Sequence, residues 1–327
     1  MNKTAVILGG LGFIGSNMAV RLKELGYWVR VVDIKEQQDY GTSCADEVLN
    51  LDLRVPANVT KSLTLSSIDN KVDEVYQFAA DMGGCQKVFT GEFDSDIMTN
   101  SALINLNVLQ NHGRYKKILY SSSACVYPQE NQIDPSNPNC KEDSAYPANP
   151  DSDYGLEKLF SERLYLAYRR NYSVDCKIVR FHNIYGCPNN DFSTIRSKAP
   201  AGISFKVINA EHDGVLEIFG PGNQTRSFCW IGDAIDGCLK LLASETFIGP
   251  LNIGSEEMIS INDFTKMIID ISGRTDLTIK NVPGPVGVMG RNSDNSLCRE
   301  KLKWEPSTKL RDGMEKMFSW IKSEVKK

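Results

Sequence analysis

Tyr154 and Lys158 stand four residues apart at the head of an amphipathic run that continues as LEKLFSERLYLAY. Helical geometry puts the pair on one face, so a phenol lies beside an ammonium. A free tyrosine titrates near about 10 and is a poor base at neutral pH, but a nearby cation favours its phenolate and makes proton abstraction feasible. Upstream, Lys117, Ile118 and Leu119 read as the end of a buried strand, and Ser121, Ser122 and Ser123 follow where that strand leaves the sheet. A hydroxyl from this serine run is then in place to hold the oxygen that loses its proton. Cys125 adds a thiol at the same strand end.

Something must hold these groups together. Residues 4–8 form a short apolar run of the kind a buried parallel strand shows, and they lead into Gly9-Gly10-Leu11-Gly12-Phe13-Ile14-Gly15. A helical pattern follows and stops at Gly26. Glycines between a first strand and a first helix allow a tight bend, close approach of backbone N–H groups to a pyrophosphate, and close helix packing. The next strand, 28–32, ends at Asp33, where an acid reads the adenosine ribose hydroxyls and repels a 2′-phosphate. NAD is therefore expected over NADP. Asp52, after a third strand pattern, is an expected adenine contact. Strand 74–78 leads to Ala79-Ala80-Asp81-Met82-Gly83-Gly84, small residues that either let backbone approach the cofactor or substrate or form a plain turn.

A helix over 96–110 and a strand over 116–120 complete an alternation of strands and helices. It predicts an α/β fold, a Rossmann-type doubly wound parallel sheet with its ligand at the carboxyl ends of the strands. Beyond residue 158 the pattern loosens. Strands are expected over 175–181, 216–219 and 251–253, and helices over 199–208, 229–243, 261–271 and 310–325. The expected division is an NAD-binding domain over 1–182, to which about 226–255 returns, and a smaller C-terminal substrate-binding lobe in 183–327.

The bulk composition removes other classes. At 327 residues the chain exceeds the usual single-core size, and 41% hydrophobic content supports a buried core. A net charge of −4 gives no general case for nucleic acid or a membrane surface. No charged leader precedes the first strand, and no apolar run is long enough to span a bilayer. Nine dispersed cysteines without a Cys-x-x-Cys pair point to reduced thiols and a cytoplasmic location. With three histidines and no ligand-like spacing, no metal site is expected.

Gly9, Gly12, Gly15, Asp33, Ser123, Tyr154 and Lys158, in this order, resemble the extended short-chain dehydrogenase/reductase family, the NAD-dependent sugar-nucleotide epimerases and dehydratases. Within it the chain is similar to the 3,5-epimerases of GDP-sugars, through AADMGG at 79–84, SSACVYP at 122–128, DYGLEKL at 153–159, RFHNIYG at 180–186, QTRSF at 224–228, LNIGSEEM at 251–258 and PGPVGVMGRNSDN at 283–295. The resemblance implies that Tyr154 is the base at C4, that Lys158 is its cationic neighbour and ribose contact, and that Ser123 holds the substrate oxygen. It also implies that Cys125 and Lys198 are the further acid/base pair, and that Gly83, Asn183, Lys206, Gln224, Arg226 and Arg291 hold the sugar or its diphosphate. Ser197 and Met289 depart from the family pattern. A homodimer, paired through helices including 96–110 and 154–170, is implied as well.

Overall fold

In strand β1 (Thr4–Leu8), Ala5 and Ile7 belong to one apolar core while Val6 and Leu8 belong to another. Successive side chains leave opposite faces of a strand, so a strand apolar at every position suits a sheet covered on both sides. The computed structural model, which describes residues 2–37, 43–65, 71–188 and 198–325, shows that arrangement. After β1 come α1 (Phe13–Glu24), β2 (Trp28–Asp33), β3 (Glu47–Asn50), α2 (Pro56–Ser62), β4 (Val72–Gln77), the short turn α3 (Cys85–Val88), α4 (Asp94–Gln110), β5 (Tyr115–Ser123), α5 (Asp153–Tyr172) and β6 (Asp175–Phe181). The second half runs β7 (Ile184–Tyr185), α6 (Ala199–Asn209), β8 (Val215–Phe219), β9 (Thr225–Ser227), β10 (Cys229–Trp230), α7 (Ile231–Ala243), β11 (Leu251–Ile253), β12 (Met258–Ser260), α8 (Ile261–Ser272), β13 (Thr278–Val282), β14 (Gly290–Arg291), α9 (Ser296–Leu302) and α10 (Leu310–Val325).

The main sheet has seven strands in the order β11-β6-β5-β4-β1-β2-β3, and every pairing is parallel. Strands β2 and β3 extend from β1 to one side and β4, β5, β6 and β11 to the other. The switch point between β1 and β4 is where a doubly wound sheet opens its crevice. Met18 and Leu22 of α1 and Ile235 and Leu241 of α7 cover one face; Val59 of α2, Val108 of α4 and Tyr165 of α5 cover the other. The expected Rossmann-type fold is the observed one.

Two local expectations change. Strand β5 does not end before the serines: Ser121, Ser122 and Ser123 pair in register with Val179, Arg180 and Phe181 of β6, because β6 is long enough to keep them hydrogen-bonded. The helix expected from 229 starts at Ile231, since Cys229 and Trp230 instead pair with Ile184 and Tyr185 as β10 and β7.

Helix α5 is fixed from beneath by a buried ion pair. Arg180 of β6 donates from Nε and one terminal nitrogen to the two oxygens of Glu162 at 2.9 and 2.8 Å, and Ser122 Oγ donates to the same carboxylate at 2.5 Å. All three residues are buried. Bidentate geometry and a full set of partners make such a pair tolerable in a dry interior.

The remaining elements build a third core from Ile203 and Val207 of α6, Ile218 of β8, Phe264 of α8 and Met314 and Met317 of α10. Above it lie the parallel pair β8 and β13 and the three-stranded sheet β12-β9-β14. Strand β11 and helix α7 return to the main sheet. Among the described residues no helix is long and apolar enough to cross a membrane.

Candidate active site

The glycine turn meets the demands of a dinucleotide. Gly9 has φ +79°, and a Cβ there would lie 2.7 Å from the Ala79 backbone nitrogen, so the turn and the second residue after β4 touch through backbone alone. A Cβ on Gly15 would meet the Gly9 carbonyl oxygen at 2.3 Å, so this glycine lets α1 pack onto the turn. Gly12 differs: only the Gly9 oxygen, at 3.5 Å, lies within 4 Å of its would-be Cβ. Gly12 is also the N-cap of α1, where no side chain caps the helix and no acid occupies the first turn. The start of α1, at Phe13 and Ile14, is therefore open to an anion. Asp33, buried at the end of β2, accepts N–H groups of Leu11 and Lys35 at 3.0 and 3.1 Å, which ties the acid to the turn beside it. These residues fit NAD. Ala80 follows Ala79 without regular structure, and Asp52 is paired with Arg54, which holds its carboxyl below the usual range.

Tyr154, Ser123 and Cys125 come together at the end of β5. Tyr154 is in the first turn of α5, buried among Val88, Ile97 and Cys125. The Ser123 hydroxyl accepts the Cys125 N–H at 3.2 Å and acts on the phenol to lower its pKa. The Lys158 ammonium lies 5.8 Å from the Tyr154 ring centroid and donates to the Ser121 carbonyl at 3.0 Å. Burial raises the phenol's pKa, as does Cys125, against the effect of the Ser123 hydroxyl, while burial pulls that of Lys158 down. The expected push of Lys158 toward phenolate is thus outweighed in the protein alone by desolvation.

Cys125 has a partner absent from the sequence reading. One terminal nitrogen of Arg291 donates to its sulfur at 3.1 Å, the other to Asp151 Oδ2 at 3.1 Å, and Nε donates to Gln132 Oε1 at 2.6 Å. The guanidinium is buried; burial lowers its pKa, but Cys125 and Asp151 reverse this and leave it raised. Gly155 is also structural. A Cβ there would fall 2.2 Å from the Cys125 carbonyl oxygen, so only glycine lets the turn carrying the thiol rest against the head of α5. Nothing but the distant contact itself could have singled out Gln132, Asp151 or Gly155.

Other expected contacts are spread over the lobe side. Asn183, in the left-handed region at φ 45°, donates its amide to the Ser227 carbonyl at 2.9 Å. Gln224 donates to the Phe219 carbonyl, and its Oε1 is buried with no hydrogen-bond partner among the described residues. Arg226 donates to the carbonyls of Thr225, Val286 and Val288, and Lys206 to that of Glu217. Gly83 backs onto Lys87, whose side chain a Cβ would meet at 2.9 Å. Lys198 is the exposed N-cap of α6. Ser197 lies outside the described residues, and Met289 is half-buried beside β14. On the outer surface His212, Asp213 and Asp276 bring ligand-type atoms within 4.8 Å of one another, but Arg274 engages both Asp276 oxygens at 2.7 Å.

Comparison with known proteins gives a consistent picture. Residues 5–254 match the model of the NAD dependent epimerase/dehydratase family. The chain is 40% identical over 324 residues, 98% of its length and 82% of theirs, to GDP-mannose 3,5-epimerase 1 of Oryza sativa subsp. indica and to GDP-mannose 3,5-epimerase of Arabidopsis thaliana. It is 28% identical over 97% of its length, and 98% of the relative's, to a putative UDP-glucose 4-epimerase of Methanocaldococcus jannaschii. The crystal structure of UDP-glucuronic acid 4-epimerase from Bacillus cereus, in complex with UDP-glucuronic acid and NAD, shares the fold with TM-score 0.79 and 24% identity over 98% of this chain and 99% of that one.

Proposed function

Since the chain belongs to the NAD-dependent epimerase/dehydratase family and is an NAD-dependent isomerase of nucleotide sugars, we propose that it is a GDP-mannose 3,5-epimerase. It converts GDP-mannose to GDP-L-galactose, with GDP-L-gulose as the product of inversion at C5 alone. The observation that carries this reading is the Cys125 thiol set between Tyr154 and Arg291, a fourth proton-carrying group beside the Ser-Tyr-Lys set. A 4-epimerase has no use for it.

When bound, NAD supplies a hydride acceptor for C4 and returns the hydride at the end, so there is no net oxidation. Tyr154 takes the C4 hydroxyl proton while Ser123 holds the oxygen and Lys158 steadies the phenolate and a ribose. The resulting ketone acidifies the C–H bonds at C3 and C5, because the carbanion delocalises as an enolate. Inversion then needs a proton removed on one face and one delivered on the other. Cys125 and Lys198 are the pair for this: a thiol ordinarily titrating near about 8.5 and an amine that partial burial by substrate brings toward neutrality. Asn183, Gln224, Arg226 and Lys206 hold the sugar and its diphosphate from the lobe, with Gly83 opposite.

We assign cofactor binding to 1–182 with the returning stretch 226–255, sugar binding mainly to 183–327, and the activity to a cytoplasmic homodimer. The described cysteines are free. Helices α4 and α5 pack on each other yet expose Met98, Leu103, Leu156 and Phe160, an apolar face suited to a second copy.

Incubating the enzyme with GDP-mannose in deuterated water, with no added NAD(P)H, tests the assignment: deuterium appears at C3 and C5. Label at neither carbon sinks it in favour of a 4-epimerase, and a requirement for NADPH turns it into a coupled 3,5-epimerase/4-reductase of the GDP-fucose synthase type.

A further inference from the structure

The link between α3 and α4 joins the Tyr154 pocket to the lobe. Val88, Ile97 and Tyr154 are buried together, and Phe89 and Phe93 pack against them, so this link forms the wall beside the phenol. Phe89 also reaches the other side: a Cβ on Gly287 would lie 3.2 Å from two carbons of its ring. Four residues further along, Arg291 meets the Cys125 sulfur at 3.1 Å. The segment 287–291 thus touches the cofactor-binding half twice, both times at residues packed around Tyr154. Each side of the Phe89 contact is held in place. Behind the ring, Lys87 pairs with Asp81, which accepts the Asn100 amide at 2.8 Å and donates its own N–H to the Ser101 hydroxyl at 3.1 Å, both from α4. In the lobe, one terminal nitrogen of Arg226 donates to the carbonyls of Val286 and Val288 at 2.9 and 2.8 Å, on either side of Gly287, and the Thr225 N–H donates to that of Met289 at 2.9 Å. Residue 287 has no side chain to fill a gap, so the ring alone sets this crossing.

We propose that Phe89 is a positioning residue that acts through Gly287: its ring holds the lobe loop against the Tyr154 wall and so retains the sugar while C4 is a ketone. This rests on the reading that C4 is oxidised at Tyr154, and not on which neighbouring carbon then inverts. The chemistry demands retention. Before C4 is reduced again the sugar has to lose a proton from carbon and gain one, and for a second centre repeat both, so the ketone outlives any single proton transfer. A ketone that escapes leaves its electrons behind. C4 has given up a hydride and its hydroxyl proton, the C4–O bond has become a carbonyl, and the enzyme keeps the reduced cofactor and the proton on Tyr154. Such an enzyme cannot oxidise a fresh alcohol and has stopped. Commitment of substrate by contacts between two parts of a protein is the general work of closing elements. An apolar ring on backbone suits it, since it ties the halves together without selecting among the stereoisomers that form in between.

The test uses the NAD-loaded enzyme turning over GDP-mannose, with reduced cofactor followed by its absorbance and ketone then trapped by borodeuteride as a C4-deuterated sugar. In wild type the trapped ketone stays with the protein on filtration. In Phe89→Ala the protein-free filtrate carries about tenfold more of it, an equal amount of reduced cofactor remains on the protein, and turnover decays as that builds up. Phe89→Leu, which keeps apolar bulk, leaks about threefold more than wild type and keeps the comparison readable if the alanine variant does not fold. A role in packing alone would slow turnover or lower stability without parting ketone from reduced cofactor, so a filtrate unchanged in both variants overturns the proposal. Wild type separates the two failures. No C4 deuterium trapped even on the protein means that C4 of this sugar is not oxidised, and both readings fall, whereas C4 label in wild type with no added leak in either variant removes only the role of Phe89.

Discussion

Burial governs the chemistry of individual residues here more than pairing does. Tyr154 and Lys158 are both desolvated, and each is moved toward its neutral form. Tyr154→Phe is expected to stop C4 oxidation altogether, read as loss of any transient NADH absorbance when GDP-mannose is mixed with the enzyme. His182 gives a pH prediction. Asn252 Oδ1 faces its Nε2 at 2.8 Å and is also the acceptor for the Tyr127 hydroxyl, so Nε2 carries the proton, and Nδ1 is left buried with no hydrogen-bond partner among the described residues. Burial lowers the His182 pKa to about 3. The unfolded chain, titrating near about 6.5, therefore binds the extra proton between those values, and stability falls as pH drops through that window by up to ~1.4 kcal/mol per unit. Urea melts of wild type and His182→Gln from neutral to acid pH should show a shallower slope in the variant; equal slopes refute the assignment. Serine, cysteine, tyrosine and lysine were legible in the sequence because their chemistry is concentrated in two short stretches. Gln132 and Asp151 were not, because they lie 159 and 140 positions from the arginine they hold.

At the scale of elements, the decisive contact is between the head of α5 and the turn after β5. Gly155→Ala forces a methyl against the Cys125 carbonyl and is expected to cost about 2 kcal/mol or more of stability together with most activity, whereas Gly113→Ala, with no atom within 4 Å of the new Cβ, is expected to be neutral. Thermal unfolding of the two variants checks both. The buried strands of the main sheet were readable from their continuous apolar runs, and the long helices from their period. The lobe's strands were not: β9, β12 and β14 have two or three residues each, too few for alternation to register, and they pair only because distant segments meet. The end of β5 was misread for a related reason. Three serines look like a loop, yet β6 supplies them with partners and Glu162 with Arg180 satisfies the buried hydroxyl of Ser122.

For the whole molecule, the exposed apolar face of α4 and α5 predicts assembly. Phe160→Asp, on the exposed side of α5, is expected to shift mass photometry from dimer to monomer while NAD remains bound; a wild-type protein that weighs in as a monomer refutes it. Overall architecture was legible because strand–helix alternation admits few topologies, but the path by which the chain re-enters the sheet was visible only in outline. That path matters most at β11. Leu251, Asn252 and Ile253 are edge residues of the cofactor sheet, and the Asn252 side chain joins Tyr127, His182, Cys140 and Asp294. An engineer hoping to change sugar preference by grafting a relative's lobe cannot cut once near residue 182. The donor piece would carry a foreign rim for β6 and a foreign amide at the hub where both halves are stitched, so a workable chimera needs at least two junctions, with 251–253 retained from the host.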